Sequence, residues 1–503
     1  MVGMLLVSGE VLWAQQTQAA SAAPNDSLAA AVHELQEQVK ELREAVTEVR
    51  GEAAQYRAET AELRRELQVT REQLAGAKQP AAPSPANATP APTSGLEERV
   101  AALEESTQLL NGKVDDQYQS KVESASKYRV RLSGIVLLNA FSNRGKTDNL
   151  DFPAWADPPT PLDPNGAFGA TLRQSELGLE AFGPRVAGAR TSGNLQLDFS
   201  GGFPSTFNGA NFGIARLRIA SMRLDWDHTS IVAGQDSLFL SPNSPTSFAT
   251  LAIPSLAYAG NLWGWIPQVR VEHRFDLSPD QNITVQGGIL DNVVGEMPYT
   301  TFDRQPQAGE RSGQPAYGAR VAWTHNVFGL PLTLGSGGYY SRQDWGFNRH
   351  VDGWAGMADW QAPLFSRLTL SGEFYRGRAA GGLGGAIGRS VLFNGDPTVA
   401  TTQLQPLDSI GGWSQLKFQA TSKLELNGAY GIDSPFAQDV RTFSSKQNYF
   451  GSLVQNRVVL GNFVYRPRSN LLFSSEYRHL RTNAIDAGYW TADQVSLSMG
   501  ILF

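Results

Sequence analysis

The chain has 503 residues, 41% of them hydrophobic, with 50 Gly, 27 Pro, 24 Phe, 14 Tyr, 11 Trp and no Cys. The lack of Cys excludes disulfides and thiolate metal sites, and no apolar run approaches the ~20 residues that a membrane-crossing helix requires. The net charge of -6 is unevenly divided: residues 1–126 carry 11 Lys+Arg against 19 Asp+Glu, residues 127–503 carry 31 against 29, and 26 of those 31 cations are Arg. An acidic chain without basic blocks offers nothing to nucleic acid. Arg presents a rigid fork to carboxylate or phosphate where Lys presents a point charge, so its dominance is a first pointer to an anionic solute.

Residues 1–22 read as a secretory leader, with Met4-Leu5-Leu6-Val7 and Val11-Leu12-Trp13-Ala14 as its apolar core and cleavage near Ala14 or Ala22. The leader has no Lys or Arg before its core, and Glu10 interrupts it; a misassigned start or a truncated leader accounts for both. Residues 23–75 read as a parallel coiled coil. With Leu28 at d, the a positions are Val32, Val39, Val46, Ala53, Thr60, Leu67 and Leu74, and the d positions continue through Leu35, Leu42, Val49, Tyr56, Leu63 and Thr70. Arg43, Arg50, Arg57, Arg64 and Arg71 all occupy e. Glu52, Glu59 and Glu66 at g precede three of them by five residues, the spacing that pairs charges between parallel, in-register helices. The rod is roughly 70 Å long at ~1.5 Å per residue. Val at a with Leu at d favours two strands, a preference that Ala53, Thr60 and Thr70 weaken. A Pro/Ala linker over residues 76–95 cannot form helix or core. A second short heptad over residues 96–126 follows, built on Leu96, Val100, Leu103, Thr107, Leu110 and Val114.

From Lys127 the period falls from seven to two, and residues 127–503 read as an all-β transmembrane barrel of 16 antiparallel strands. In the first strand Val130, Leu132, Val136 and Leu138 share a face while Arg129, Arg131, Ser133 and Asn139 share the other, with Ile135 and Leu137 intruding. In the last, Val495, Leu497, Met499, Ile501 and Phe503 oppose Gln494, Ser496, Ser498 and Gly500, with Leu502 out of character. The strands fall near 128–142, 172–182, 189–200, 214–226, 230–236, 267–275, 283–291, 315–325, 332–345, 351–361, 367–378, 412–421, 424–433, 456–466, 471–482 and 492–503, with a register slip inside 214–226. Short connections alternate with long ones, as at the two rims of an outer-membrane barrel. The even count puts both ends of the barrel, and hence the coiled coil, on the short-turn, periplasmic rim.

The closing segment Ser498-Met499-Gly500-Ile501-Leu502-Phe503, the Arg216-Leu217-Arg218 step, the heptads and the Pro-rich spacer together resemble the DcaP-like trimeric outer-membrane porins. More distantly they resemble phosphate-selective porins bearing a coiled coil. That resemblance implies a homotrimer with one pore per subunit, a third extracellular loop folded into the lumen, and Arg residues that select small anions such as dicarboxylates. It favours three strands over the two suggested by the heptads.

Passive diffusion needs no nucleophile and no cofactor; it needs a narrow aqueous path whose charges attract one sign of ion and release it. Strand parity places Arg190, Arg216, Arg218, Arg270, Arg274 and Arg320 on polar faces. Arg216 and Arg218 point the same way about 6 to 7 Å apart, a spacing at which two forks can hold one dicarboxylate. The alternative for each Arg is a structural ion pair with Glu176, Glu180, Asp198, Glu272 or Glu373. The third long loop, Ser237 to Ile266, has no charged side chain and carries Phe239, Phe248, Tyr258, Trp263 and Trp265, which makes it a candidate constriction. The six His show no metal-ligand spacing, no nucleophile elbow is present, and the Gly381–Gly388 run lacks the Lys-Ser/Thr of a phosphate-binding loop. The expected function is therefore a non-enzymatic outer-membrane porin for small anions, its partners being its own copies, membrane lipid and the solute. Two readings compete with it. In one, an occluded barrel serves as an anchor while the coiled coil tethers the membrane to cell-wall or periplasmic components; the other is a barrel lipid hydrolase.

Overall fold

The computed structural model describes residues 129–203, 213–296, 304–443 and 450–503. The leader, both heptad segments and the linker expected over residues 1–126 lie outside them. Period-two sequence folds here as β-strands, since successive side chains alternate between faces and each face meets a different surroundings. In chain order the strands are β1 (Arg129–Arg144), β2 (Gly166–Thr171), β3 (Glu176–Phe182), β4 (Arg190–Asp198), β5 (Arg216–Asp225), β6 (Thr229–Ser237), β7 (Trp265–Ser278), β8 (Gln281–Leu290), β9 (Ala316–Val327) and β10 (Leu330–Asp344). They continue as β11 (His350–Phe365), β12 (Leu368–Arg378), β13 (Val391–Phe393), β14 (Leu404–Pro406), β15 (Asp408–Thr421), β16 (Leu424–Pro435), β17 (Leu453–Arg468), β18 (Leu471–Ala484) and β19 (Gly488–Leu502).

All but β13 and β14, which form a hairpin of their own, belong to one antiparallel sheet, and β1 closes it on β19 from Ile135↔Leu502 to Arg144↔Asp493. β2 and β3 both pair with β1 and together fill one position of the wall, so the barrel is sixteen-stranded. Closure leaves no open edge. The outward side chains are apolar and exposed along the wall, among them Val136, Leu179, Leu195, Val271, Val285, Val321, Phe374, Leu426, Phe463, Phe473, Leu497 and Ile501. So extensive an apolar surface around a closed barrel is stable only against hydrocarbon. Phe503 ends the chain against β1, with Gly134 N donating to Phe503 O at 2.9 Å and Phe503 N donating to Gly134 O at 3.1 Å.

Residues 226–228, 279–280, 328–329, 366–367, 422–423 and 469–470 make tight turns on the rim that holds both ends of the barrel; the long connections lie on the other. Two connections on the long-loop rim, 345–349 and 485–487, are themselves short. The second strand also differs from expectation: it begins at Gly166 and breaks over residues 172–175. Gln174 turns inward there and is fully buried, and Ser175 Oγ accepts a hydrogen bond from Leu137 N at 3.0 Å, replacing one the ladder loses.

The bore is not uniformly wet. Ile135 and Leu137, which intrude on the polar face of β1, form a buried cluster with Val464 and Leu472, and Phe248, Leu251 and Leu502 pack against it. Val458, Leu460, Leu480, Trp413 and Ala492 likewise point inward and pack with Ala156, Leu256 and Ala259 from two long loops. Inward apolar residues thus occur where a loop lands on the wall, which is why Ile135, Leu137 and Leu502 break the alternation.

Candidate functional site

The connection between β6 and β7 carries no charge and lies inside the barrel. Its backbone polar groups, removed from bulk water, need partners, and inward polar side chains of distant strands supply them. Glu373 on β12 accepts from Ser241 Oγ and from Asn243 N at 2.8 Å. Gln415 on β15 accepts from Thr246 N at 2.6 Å, and Asn462 on β17 donates to Thr246 O at 2.8 Å. Gln174 clamps the loop from the strand break, donating to Ala249 O at 2.9 Å and accepting from Ala252 N at 3.0 Å. Arg478 on β18 reaches Thr250 Oγ1 at 3.3 Å and Ser255 Oγ at 3.2 Å, and Asn456 donates to Tyr258 O at 3.0 Å. Where the loop backbone presses on β15 and β16 only glycine fits: Gly260 has φ +94°, and a Cβ there would strike the backbone of Gly412.

Facing the loop, β5 carries the two closely spaced arginines and β4 pairs with it. Asp198 stands opposite Arg216, Leu197 opposite Leu217 and Gln196 opposite Ile219, leaving Arg218 as the extra residue of a β-bulge. This is the register slip seen in the sequence. It keeps Arg216 and Arg218 inward and shifts the parity of the rest of β5, so that Met222 is exposed to the outside and Arg223 turns in. Arg216 makes a two-pronged bond to Asp198, at 3.0 Å from Nε to Oδ1 and 2.5 Å from Nη2 to Oδ2, and Nη2 also donates to Ala252 O of the loop at 2.5 Å. Arg218 pairs with Glu176 and lies 3.9 Å from Asp198. Both guanidinium groups sit over the ring of Trp265, 4.9 and 4.6 Å from its centre.

Beyond this cluster a continuous chain of charged side chains, bridged at one point by Gln286, runs from β5 to β11. Arg223 reaches Glu272 at 3.1 Å; Arg270 binds Glu272 and Asp236, each at 2.8 Å; Gln286 donates to Glu272 at 3.1 Å and accepts from Arg320 at 3.0 Å. Arg320 then grips Asp359 with two bonds of 2.9 and 2.7 Å, in space left by Gly335, where any Cβ would collide with the Asp359 carboxylate. Towards the short-turn rim Arg274 is half-exposed and 2.8 Å from Asp276, and Arg190 is exposed opposite Asp225.

All six arginines named from parity lie on the inner wall between β4 and β9, and the ion pairs set beside them as the alternative are formed by Arg216, Arg218 and Arg270 with Asp198, Glu176 and Glu272. Glu373 instead holds the loop, and Glu180 pairs with the exposed Arg131 at 3.3 Å. Among the described residues, Arg223, Arg173 and Arg478 also point inward and are not among those named from parity. Arg223 is hidden by the bulge. Arg173 binds Asp151 at 2.5 Å from within the strand break, and Arg478 binds Glu476 at 2.9 Å on a strand whose role is to hold the loop. Of the five loop aromatics, Phe239 is buried in the cluster at the loop's stem, and Phe248 sits against β1, β17 and β18. Tyr258, Trp263 and Trp265 form an edge-to-face row with centroids 6.0 and 5.3 Å apart, extended by Trp155 at 5.6 Å. Trp265 is the first residue of β7 rather than part of the loop.

No protein-family model matches this sequence, and no curated protein matches it. Among solved structures, the chain is similar to the outer membrane channel DcaP of Acinetobacter baumannii, with a TM-score of 0.58 and 17% identity over 76% of this chain and 100% of that one. That likeness establishes the fold. The anion-selective porin from Comamonas acidovorans is more remote, at 13% identity and a TM-score of 0.47 over 75% of this chain and 100% of that one. The same holds for OmpT of Vibrio cholerae, at 9% and 0.43 over 76% and 100%.

Proposed function

We propose that this protein is an outer-membrane porin through which small solutes, anions such as dicarboxylates in preference, diffuse past the Arg216–Arg218 wall. The observation that carries this reading is an asymmetry of exposure. The Arg216 side chain points into the bore yet is 26% exposed, while Asp198, its partner, is 0% exposed; Arg223 is 38% exposed against 23% for Asp225 and 16% for Glu272. Water in the lumen therefore meets the guanidinium ends of the Arg216 and Arg223 pairs more than their carboxylates, whereas Arg218 at 14% and Arg270 at 9% are more covered than Glu176 at 25% and Asp236 at 15%. The uncharged loop opposite narrows the path without competing for the ion, and Trp265 beneath the forks holds them flat.

The same proposal takes the active form to be a homotrimer with its coiled coil in the periplasm. Strands β3 to β6 have 7, 9, 10 and 9 residues, against 16 in β17. At about 3.4 Å per residue and a 45° tilt they rise roughly 17 to 24 Å, less than the apolar band of about 25 Å that lipid demands. Phe168 and Leu172, beside these strands, are 81% and 55% exposed, and a second copy would cover them. Recording from the purified full chain in planar bilayers tests the function: discrete open steps with an anion-favouring reversal potential are expected. A silent protein would favour the anchoring role, and a cation-favouring one would remove the solute assignment.

A further inference from the structure

We propose that Arg457 and Arg481, on the outside of the barrel near the long-loop rim, bind the phosphate of a membrane-lipid headgroup. The two residues stand directly opposite each other on β17 and β18. Val458 and Leu480 beside them are buried on the inner face, so both arginines point outward, in line with the exposed Val459 and Tyr477. Like charges in this position repel, and a folded sheet avoids them unless something neutralises the pair. Nothing in the protein does: among the described residues neither guanidinium has a carboxylate partner, and both Nε atoms are buried without a hydrogen bond. Arg376, another outward arginine on the same rim, is paired with Asp408 at 3.5 Å, and Arg342 stands across the strand pair from an acid, Asp352, rather than from a second cation. The nearest outward acid on β19, Asp493, is engaged by Tyr477 at 2.7 Å and His479 at 2.8 Å.

Depth selects the ligand. Towards the short-turn rim the outward positions of β17 are Val459, Gly461, Phe463 and Tyr465, a surface for acyl chains. Towards the other rim the next outward pair is Gln455 and Asn483, joined at 3.0 Å. Arg457 lies about 7 Å beyond Val459 at ~3.4 Å per residue, the level at which acyl chains give way to headgroups. The ring of Tyr489, 4.0 Å from the Arg481 guanidinium, belongs to the aromatic belt expected at that boundary. Two forks on neighbouring strands ~4.8 Å apart converge on a tetrahedral oxyanion better than on a chloride. A cleft of about 570 Å³ above the pair, lined by Arg441, Gln455 and Asn483, has room for the rest of a large headgroup. The ligand is therefore a phosphorylated lipid of the leaflet at the long-loop rim. The inference rests on the membrane embedding within the proposed function and is independent of what the lumen conducts.

The test is native mass spectrometry of the full chain in detergent, titrated with diphosphorylated lipid A, its dephosphorylated form, or inorganic phosphate. Wild type is expected to retain the diphosphorylated lipid about tenfold more tightly than Arg457→Gln/Arg481→Gln, with the difference vanishing for the dephosphorylated lipid. Arg457→Gln alone removes the like-charge contact and so folds at least as readily as wild type; it is expected to lose several-fold in lipid affinity. Equal retention by wild type and variants overturns the proposal. So does displacement of the lipid by an equal concentration of inorganic phosphate, which would mark a free-anion site. Loss of binding with single-channel conductance unchanged supports it, and keeps this result separate from that of the pore.

Discussion

Exchanging the charges of the Arg216–Arg218 cluster should move ion selectivity in two opposite directions. Arg216→Gln/Arg218→Gln leaves Asp198 and Glu176 without their cations, a local change of two negative charges; Glu176→Gln/Asp198→Asn makes the opposite change at the same place. For an ion passing ~6 Å away, two unit charges contribute about 1.4 kcal/mol in a water-like dielectric, and about 0.8 kcal/mol after screening at 0.1 M salt. That corresponds to a three- to fourfold change in local concentration, up for one sign of ion and down for the other, hence roughly tenfold in the permeability ratio. The assay is the reversal potential across a planar bilayer under a salt gradient. The arginine double variant should shift it towards cations and the carboxylate double variant towards anions. Because Asp198 is fully buried, folding of each variant is checked by resistance of the barrel to detergent at room temperature. If both double variants fold and keep the wild-type potential, the ions do not pass this wall and the site assignment is wrong.

Further outcomes follow from the packing and, for the last, from the heptads. Asp359→Ala strands the buried Arg320 and should cost about 3–5 kcal/mol in urea unfolding from vesicles, whereas Arg320→Met/Asp359→Leu should cost far less. Leu137→Ala, which opens a cavity beneath the inward loop, should destabilise the barrel by about 2–5 kcal/mol, and Leu497→Arg by roughly 2–4 kcal/mol because it faces the middle of the apolar band. Gln174→Ala leaves Ala249 O and Ala252 N without their buried partner, at about 1–3 kcal/mol, and should appear in single-channel records as a larger or noisier conductance. A peptide of residues 28–74 should assemble as parallel, in-register helices, read by disulfide exchange between amino-terminal Cys tags; a monomer or an antiparallel pair refutes the heptad reading.

Strand number, rim asymmetry and the lipid-facing residues were legible because period two is a local property: each strand of a barrel meets hydrocarbon on one side, and the pattern needs no knowledge of the neighbours. The inward direction of Arg270 and Arg320 came from the same parity. Arg223 did not, because one extra residue at Arg218 inverts parity beyond it, and a bulge is a property of the pairing with β4 rather than of β5 alone.

By itself the sequence determined an alternating wall, an uncharged aromatic loop and an excess of inward Arg, all of which follow from side-chain chemistry repeated at short range. Only the tertiary structure decided where those pieces meet. Ile135, Leu137 and Leu502 proved to be the landing ground of a loop more than a hundred residues away in the chain from Leu137. Arg216 and Arg218 proved to be tied to Asp198 and Glu176, and Arg457 to face Arg481 with no acid between them. Contacts of this kind depend on strand register and on loop paths through the bore, and both are set by the closing of the barrel, which brings together residues that share no local pattern.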